Sequence, residues 1–359
     1  MTIVDERDVQ ERLAKLADEL AASGDLRSAA WRSAFLAVRR HVFVPRYWHD
    51  EEPGAFPARW RMVDRATEDH QEWLDAVYSN RTLATELSGV PAATGEGMHP
   101  QVISSTTMPG LVIAMLEDLD VRDEHTALEI GTGAGYNAAL LCQRLGDAHV
   151  SSVDIDPELV ALARVRLANH GYRPHLVTGD GSAGMPHRAP FDRIIATCGV
   201  DRIPHAWIEQ TRDGGKIMAN LRGPFNSYAL VLLAVHDGGA SGRFLAQSGG
   251  FMPLRAAPEQ AFDYTVSPNK GAPDPSNGHS QLDPQVAYSD PTWGLLAQTH
   301  LTGHTCRLVY VDDQDEQLGT EISTPDGSSW AVVHHTAGEG GYRTQQAGPR
   351  RLWDELVSR

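Results

Sequence analysis

The chain has 359 residues and a formal net charge of −16, from 31 Lys and Arg against 47 Asp and Glu, which argues against a general binder of nucleic acid or of anionic membranes. There is no apolar run of about 18 residues, and the N-terminus, MTIVDERDVQERLAKL, is charged and amphipathic, so neither a membrane span nor a signal peptide is expected. Three widely spaced cysteines, Cys142, Cys198 and Cys306, lack metal-ligand spacing and fit free thiols, no metal site and a cytoplasmic location, in a chain long enough for two domains.

Val9, Leu13, Leu16 and Leu20 recur at helical spacing and predict a helix over 5–22, with Gly24 as its stop. Trp31–Val38 reads as a second helix, and His41-Val42-Phe43-Val44-Pro45 as an extended, proline-ended segment. Residues 46–72, rich in Trp, Pro, His and charge, read as a loop or lid with little regular structure. After Val77–Asn80 and a small-residue loop at Gly89–Gly97 comes Gln101–Pro109, where Ser104, Ser105, Thr106 and Thr107 precede Met108-Pro109. Pro109–Leu119 reads as a helix with proline in its first turn, which puts the hydroxyl run at a helix N-terminus. One hydroxyl suffices for a cap, so four in a row point to a substrate or cofactor role.

Thr126–Ile130 is a short apolar strand, followed by Gly131, Gly133 and Gly135 and a helix over Tyr136–Leu145. His149–Val153 is a second strand with Asp154 at its end, and Asp156-Pro157 opens a helix that runs to His170. Further strands are expected at His175–Thr178, before Gly179-Asp180-Gly181, and at Arg193–Thr197 and Lys216–Asn220, with a short helix from Ile203 to Gln210. Ala229–Val235 and Phe244–Gln247 read as a hairpin around Asp237–Gly242. Strands alternating with helices predict an α/β fold, a mostly parallel sheet with helices on both faces. Residues 256–292 read as a linker, and the remainder, with strands at Arg307–Val311 and Ser329–Val333 and a helix at Leu352–Val357, as a small α+β module. The expected division is N-terminal helices and lid over 1–75, core over 76–255 and accessory module over 256–359.

The stretch 126–156 has the order strand, glycine loop, helix, strand, acid. Glycines let the backbone turn tightly and approach a ligand, and an acid after the second strand can hold a ribose diol. The third glycine comes one residue too early for a dinucleotide G-x-G-x-x-G, and there is no Gly-Lys-Ser/Thr for a phosphate loop. With Glu129 before it and Asp154 after it, the pattern resembles the first motif of S-adenosylmethionine-dependent methyltransferases, which implies a Rossmann-like class I fold.

Over roughly 30–254 the chain further resembles the protein-L-isoaspartate O-methyltransferase family. Phe43-Val44-Pro45, Val77–Asn80, Thr107-Met108-Pro109, the loop Leu128–Tyr136, Gly179-Asp180-Gly181, Ala189–Ile195 and Phe251-Met252-Pro253-Leu254 are similar to its signatures. The resemblance implies S-adenosylmethionine as cofactor, with S-adenosylhomocysteine as product. It implies cofactor contacts from Ser105, Thr106, Glu129, Gly131, Thr132, Gly133, Gly135, Tyr136, Asn137, Asp154, Ile155, Gly179, Asp180, Gly181 and Thr197. It places Phe43, Val44, Pro45, Met108, Phe251, Met252, Pro253 and Leu254 at the peptide and gives Thr107 the catalytic position, where the family has serine. The extra length at 46–72 and beyond 255, with Ser-Ser-Thr-Thr-Met-Pro, Ala196-Thr197-Cys198 and Pro291–Leu296, looks like actinobacterial homologues that act on ribosomal peptides. The group paired with ATP-grasp ligases, which make graspetides, is the nearer resemblance, and the lanthipeptide group the second. This implies methylation of one Asp in a macrocyclised precursor peptide and collapse of the ester to an aspartimide. Repair of isoaspartate in damaged proteins is the alternative. An ionised carboxylate, with an ordinary pKa of about 3.9, needs no general base to take a methyl group, and no Ser-His-Asp or metal constellation is evident.

Overall fold

The computed structural model describes residues 4–52, 59–66, 70–88, 101–223, 227–247, 249–257, 275–301, 305–310, 318–324 and 326–358. The loop read at Gly89–Gly97 lies outside these residues, as do 258–274 of the stretch read as a linker. Two compact units are present, one of Met1–Asn220 with Leu230–Ala261, the other of Leu221–Ala229 with Phe262–Arg359.

The first unit begins with α1 (Glu6–Ala22), where Asp5 caps by accepting from Arg7 N–H and Val9, Leu13, Leu16 and Leu20 are almost fully buried. Next come α2 (Ala29–Ala37) and α3 (Arg40–Phe43). The expected extended segment at His41–Pro45 is therefore mostly one helical turn, closed by Val44 and Pro45. The described residues of the 46–72 stretch, expected to have little regular structure, are mostly regular. They form β1 (Arg46–Asp50) and β2 (Trp60–Asp64), paired from Arg46↔Asp64 to Asp50↔Trp60, and lead into α4 (His70–Val77). Each strand carries a single fully buried anchor, Tyr47 or Val63, among polar or only partly buried residues, too weak an alternation to read from sequence. With β3 (Leu83–Ser88) and β4 (Gln101–Thr106) they make an antiparallel sheet of order β2-β1-β3-β4. Trp31, Phe35, Phe43 and Trp73 share one core with Ala138, Leu140 and Leu141, so residues 1–75 are not a separate domain but belong to the unit that carries the site.

After α5 (Pro109–Asp118) the αβ succession proceeds as β5 (Ala127–Ile130), α6 (Tyr136–Leu145), β6 (Val150–Asp154), α7 (Pro157–Asn169), β7 (His175–Thr178), β8 (Phe191–Val200), α8 (His205–Glu209), β9 (Thr211–Arg222), β10 (Tyr228–His236) and β11 (Gly239–Phe244). The seven strands form one sheet of order β11-β10-β9-β8-β5-β6-β7, in which β7, β6, β5 and β8 are parallel. The hairpin turn is tighter than expected. Asp237 (φ 52°) and Gly238 (φ 73°) suffice, and Gly239–Gly242, read as loop, pair with β10. Two successive residues with positive φ match the strand twist. The fold is a mostly parallel sheet with helices, supplemented by antiparallel sheets.

In the second unit, β12 (Ser276–Ser280) and α9 (Val286–Ser289) fall within the stretch read as linker. They are followed by α10 (Pro291–His300), β13 (Thr305–Tyr310), β14 (Leu318–Ser323), β15 (Trp330–Gly338), β16 (Gly341–Ala347) and α11 (Leu352–Val357). The sheet is antiparallel, of order β12-β16-β15-β14-β13, and buries Ile322, Ala331 and Val333 with Leu352, Trp353 and Leu356. No helix among the described residues is long and apolar enough to cross a membrane.

Candidate active site

Strand order reverses beside β5. The chain moves from β5 to β6 and β7 on one side and returns to β8 on the other. At such a switch point the loops at the carboxyl ends diverge and leave a crevice. Gly131, Gly133 and Gly135 line it, all with positive φ (97°, 49° and 90°). Two are required by space as well: a Cβ on Gly131 would lie 2.9 Å from Thr197 Oγ1, and one on Gly135 3.2 Å from the Ala163 Cβ.

The loop is held from beneath by a buried polar network. Asn137 donates to Glu129 Oε1 at 2.8 Å and Ser152 to Oε2 at 2.6 Å. Because the Ser152 proton is engaged with Glu129, Thr132, 2.6 Å from Ser152, is the donor in that contact. Thr197 donates to Gly131 O at 2.8 Å. Glu129, Thr132 and Thr197, expected at the cofactor, thus act chiefly as supports of the loop. Burial raises the Glu129 carboxyl to about 7, with the Asp154 charge adding to the rise and the Ser152 and Asn137 donors opposing it. A carboxyl raised from 4.5 in the unfolded chain binds its proton more firmly when folded. Its contribution to stability is therefore full below pH 4.5 and is lost as pH rises to about 7, by at most about 3 kcal/mol. Urea unfolding at pH 5 and pH 8 checks this: Glu129→Gln is expected to flatten the decline seen in the unsubstituted protein, and parallel declines would refute it.

Asp154, at the end of β6, faces the loop. Its Oδ2 accepts from Gly133 N–H at 2.9 Å and its Oδ1 from Asp156 N–H at 3.1 Å. Burial raises its pKa, opposed by those two donors and by the Arg255 charge, a residue the sequence reading passed over. Each oxygen retains acceptor capacity toward the crevice. Asn137 Oδ1 is buried with no partner among the described residues. The neighbouring backbone also comes close: a Cβ on Gly133 would lie 3.8 Å from Ser105 O and 3.9 Å from Ser104 Oγ. A carboxylate with free lone pairs, an orphan acceptor and a glycine-lined gap fit a ribose-bearing, amine-bearing cofactor.

Other expected contacts divide. Gly181 is packed tightly, since a Cβ there would be 2.6 Å from Ile130 Cγ2 and 3.0 Å from Leu254 Cδ1, so Leu254 sits beside the glycine loop. Gly179 N–H bonds to Asp154 O at 2.8 Å, and Asp180 is an exposed cap that accepts from Ser182. Ile155 is half-buried at the strand end. Tyr136 is not a cofactor contact: it is 3% exposed and packs on Phe43, with ring centroids 6.0 Å apart. Phe43 and Val44 are both fully buried, so they build the core and do not touch a peptide; Pro45 is half-buried. Phe251 is likewise a core residue, whereas Met252 and Pro253 are half-buried and the segment pairs with β8 through Gly199 N–H to Met252 O and Leu254 N–H to Gly199 O, both 2.7 Å. In sequence, an aromatic or apolar triplet looks the same whether it lines a groove or fills a core.

The hydroxyl run is strand, not helix start. Gln101–Thr106 are β4, and only Thr107 and Met108 separate it from α5. Strand alternation buries Ser104 and Thr106 and leaves Ser105 and Thr107 half-buried. Ser104, which accepts from Thr85 Oγ1 at 2.9 Å, nears Gly133 together with the Ser105 carbonyl, whereas Thr106, expected at the cofactor with Ser105, is buried. No run hydroxyl caps α5. That part is taken by Asn80 Oδ1, 2.8 Å from Gly110 N, and Met108 N–H is bonded by Thr82 Oγ1 at 3.1 Å. Nearby, His41 Nδ1 is 2.6 Å from the Tyr78 hydroxyl, and burial lowers the imidazole to about 4, so it is neutral at pH 7 and no strong base.

The pattern of the family described as Protein-L-isoaspartate(D-aspartate) O-methyltransferase matches residues 62–240. A Pyrococcus horikoshii protein-L-isoaspartate O-methyltransferase is 31% identical over 234 residues, spanning 64% of this chain and 84% of that protein. One from Xanthobacter autotrophicus is 40% identical over 175 residues, 48% of this chain and 75% of its own. A solved structure titled protein-L-isoaspartate O-methyltransferase superposes with a TM-score of 0.54 at 20% identity, covering 96% of this chain and 93% of that one. Extended length after the core is thus shared with a solved fold of that title.

Proposed function

Because the chain belongs to the protein-L-isoaspartate O-methyltransferase family, S-adenosylmethionine-dependent carboxyl O-methyltransferases, we propose that it methylates the free carboxylate of an L-isoaspartyl residue in a protein or peptide. In such a residue the backbone runs through the side-chain carboxyl, so the α-carboxylate is left free. The observation that supports the reading is the juxtaposition of β4 with the glycine loop, where Ser105 O and Ser104 Oγ come near Gly133, whose N–H is held by Asp154; Thr107 directly follows β4.

When bound, S-adenosylmethionine supplies an electrophilic methyl on a cationic sulfur, and S-adenosylhomocysteine is the product. Asp154 would hold its ribose and Asn137 one of its donors. The acceptor carboxylate is ionised at neutral pH and attacks directly; an O–C bond forms, the C–S bond breaks, and no proton is transferred. The task left to the chain is to orient the carboxylate oxygen in line with the methyl and keep it there. We assign this role to Thr107, the hydroxyl residue between β4 and α5. The methyl ester is then open to attack by the next backbone nitrogen, which closes an aspartimide and expels methanol.

A second reading shares this chemistry but takes the side-chain carboxylate of one Asp in a macrocyclic precursor peptide made by an ATP-grasp ligase; a lanthipeptide is a further variant. The paired strands β1 and β2 favour it, as a structured addition to the sheet that bears the hydroxyl run. Three matched peptides discriminate: linear Asp, ring-closed Asp and linear isoaspartyl. The isoaspartyl peptide is expected to be methylated at least about tenfold faster than the other two, read by mass spectrometry as ester and then aspartimide. A preference for the ring-closed Asp peptide would overturn this in favour of the macrocycle reading.

A further inference from the structure

Arg40 is a buried charged group near the site that neither cofactor nor acceptor chemistry uses. It is 1% exposed and makes no ion pair among the described residues. Its guanidinium donates to four backbone carbonyls drawn from two segments, 77–81 and Thr107. Nη1 reaches Val77 O at 2.9 Å and Ser79 O at 3.1 Å; Nη2 reaches Arg81 O at 2.9 Å and Thr107 O at 3.2 Å. It also lies over the Tyr136 ring, 5.8 Å from the centroid, at the start of the helix that follows the glycine loop. The segment it grips contains Asn80, which bonds Gly110 N–H, and Thr82, which bonds Met108 N–H.

A buried cation with no counter-charge is costly unless its donors are satisfied; the four carbonyls satisfy Nη1 and Nη2, while Nε has no partner among the described residues. Burial lowers the Arg40 pKa to about 10, which still leaves it charged at neutral pH. The fork offers four N–H donors on Nη1 and Nη2 for the four carbonyls; a lysine ammonium has three donors on one nitrogen and cannot meet all four. The same cation fixes the carbonyl of Thr107 and the loop whose side chains fix the next two amides, Met108 and Gly110. The turn between β4 and α5 is thereby tethered at three successive points.

We infer that Arg40, with Asn80 and Thr82, is a positioning residue for methyl transfer: the three set the Thr107 turn against the glycine loop and so aim the Thr107 hydroxyl at the acceptor carboxylate. The inference rests on the reading of Thr107 as the orienting donor, and the test separates the two. A misplacement of about 1 Å costs roughly 100-fold in rate, and a loosened turn moves less, so Arg40→Lys is expected to lower kcat about tenfold. Cofactor affinity by calorimetry should stay within about twofold, because Asp154 and the loop network are untouched. In a Thr107→Val background, Arg40→Lys should lower kcat by less than about twofold more, because both changes act through one hydroxyl. If Arg40→Lys does not fold, Thr82→Ala removes one exposed tether and is expected to lower kcat about threefold, again only while Thr107 is present. Losses that multiply fully in both backgrounds, or unchanged kcat in both tether variants, overturn the inference and leave Thr107 standing. An inert Thr107→Val overturns both.

Discussion

Asp154→Ala is expected to weaken S-adenosylmethionine binding about 100-fold while the protein remains folded. Two effects combine. The ribose loses its charge-assisted hydrogen bonds, worth about 1.5–3 kcal/mol each. Gly133 N–H and Asp156 N–H also lose the acceptor that ties the glycine loop to the end of β6. A loss of about 2.7 kcal/mol is a factor of 100 in affinity. Asp154→Asn keeps the shape and one acceptor and should fall between, near tenfold. Calorimetric titration with S-adenosylmethionine and S-adenosylhomocysteine, alongside circular dichroism, measures both. Unchanged affinity in a folded Ala variant would remove Asp154 from the cofactor site.

Thr107→Val is expected to slow methyl transfer between about 10- and 100-fold with cofactor affinity nearly preserved. Valine keeps the volume and the β-branch that suits the end of a strand but removes the donor. Loss of one donor from an oxyanion site costs about 100-fold or more where charge develops in the transition state. Here the carboxylate loses charge as it reacts, so the donor orients more than it stabilises and the smaller end of that range applies. Single-turnover kinetics with saturating cofactor isolates the step. Thr107→Ser should retain most of the rate, since the hydroxyl survives. Equal rates for the Val variant and the unsubstituted protein would reduce Thr107 to a packing residue in the turn.

The sequence by itself determined the αβ core and its cofactor. Strand, three glycines, helix, strand and Asp154 are local in the chain, and each has a physical reason visible in one dimension: positive φ at Gly131, Gly133 and Gly135, a Pro157 start, an Asp156 cap. Helical spacing in Val9–Leu20 was equally legible, because one face of a helix needs no partner to be recognised. What folding alone decided is where side chains point and what they meet. Phe43, Val44, Tyr136 and Phe251 read as ligand contacts but are core, since burial depends on elements distant in sequence. Ser104 and Thr106 turn inward while Ser105 and Thr107 are half-buried, because pairing with β3 imposes a two-residue alternation that four consecutive hydroxyls conceal. The short strands β1 and β2, with one fully buried anchor each, exist only because they pair with one another and, through β1, with β3. Arg40 carried no signal at all in a run of basic residues. Its role arises where carbonyls from positions 77, 79, 81 and 107 converge, and backbone convergence of that kind is a property of the tertiary structure alone.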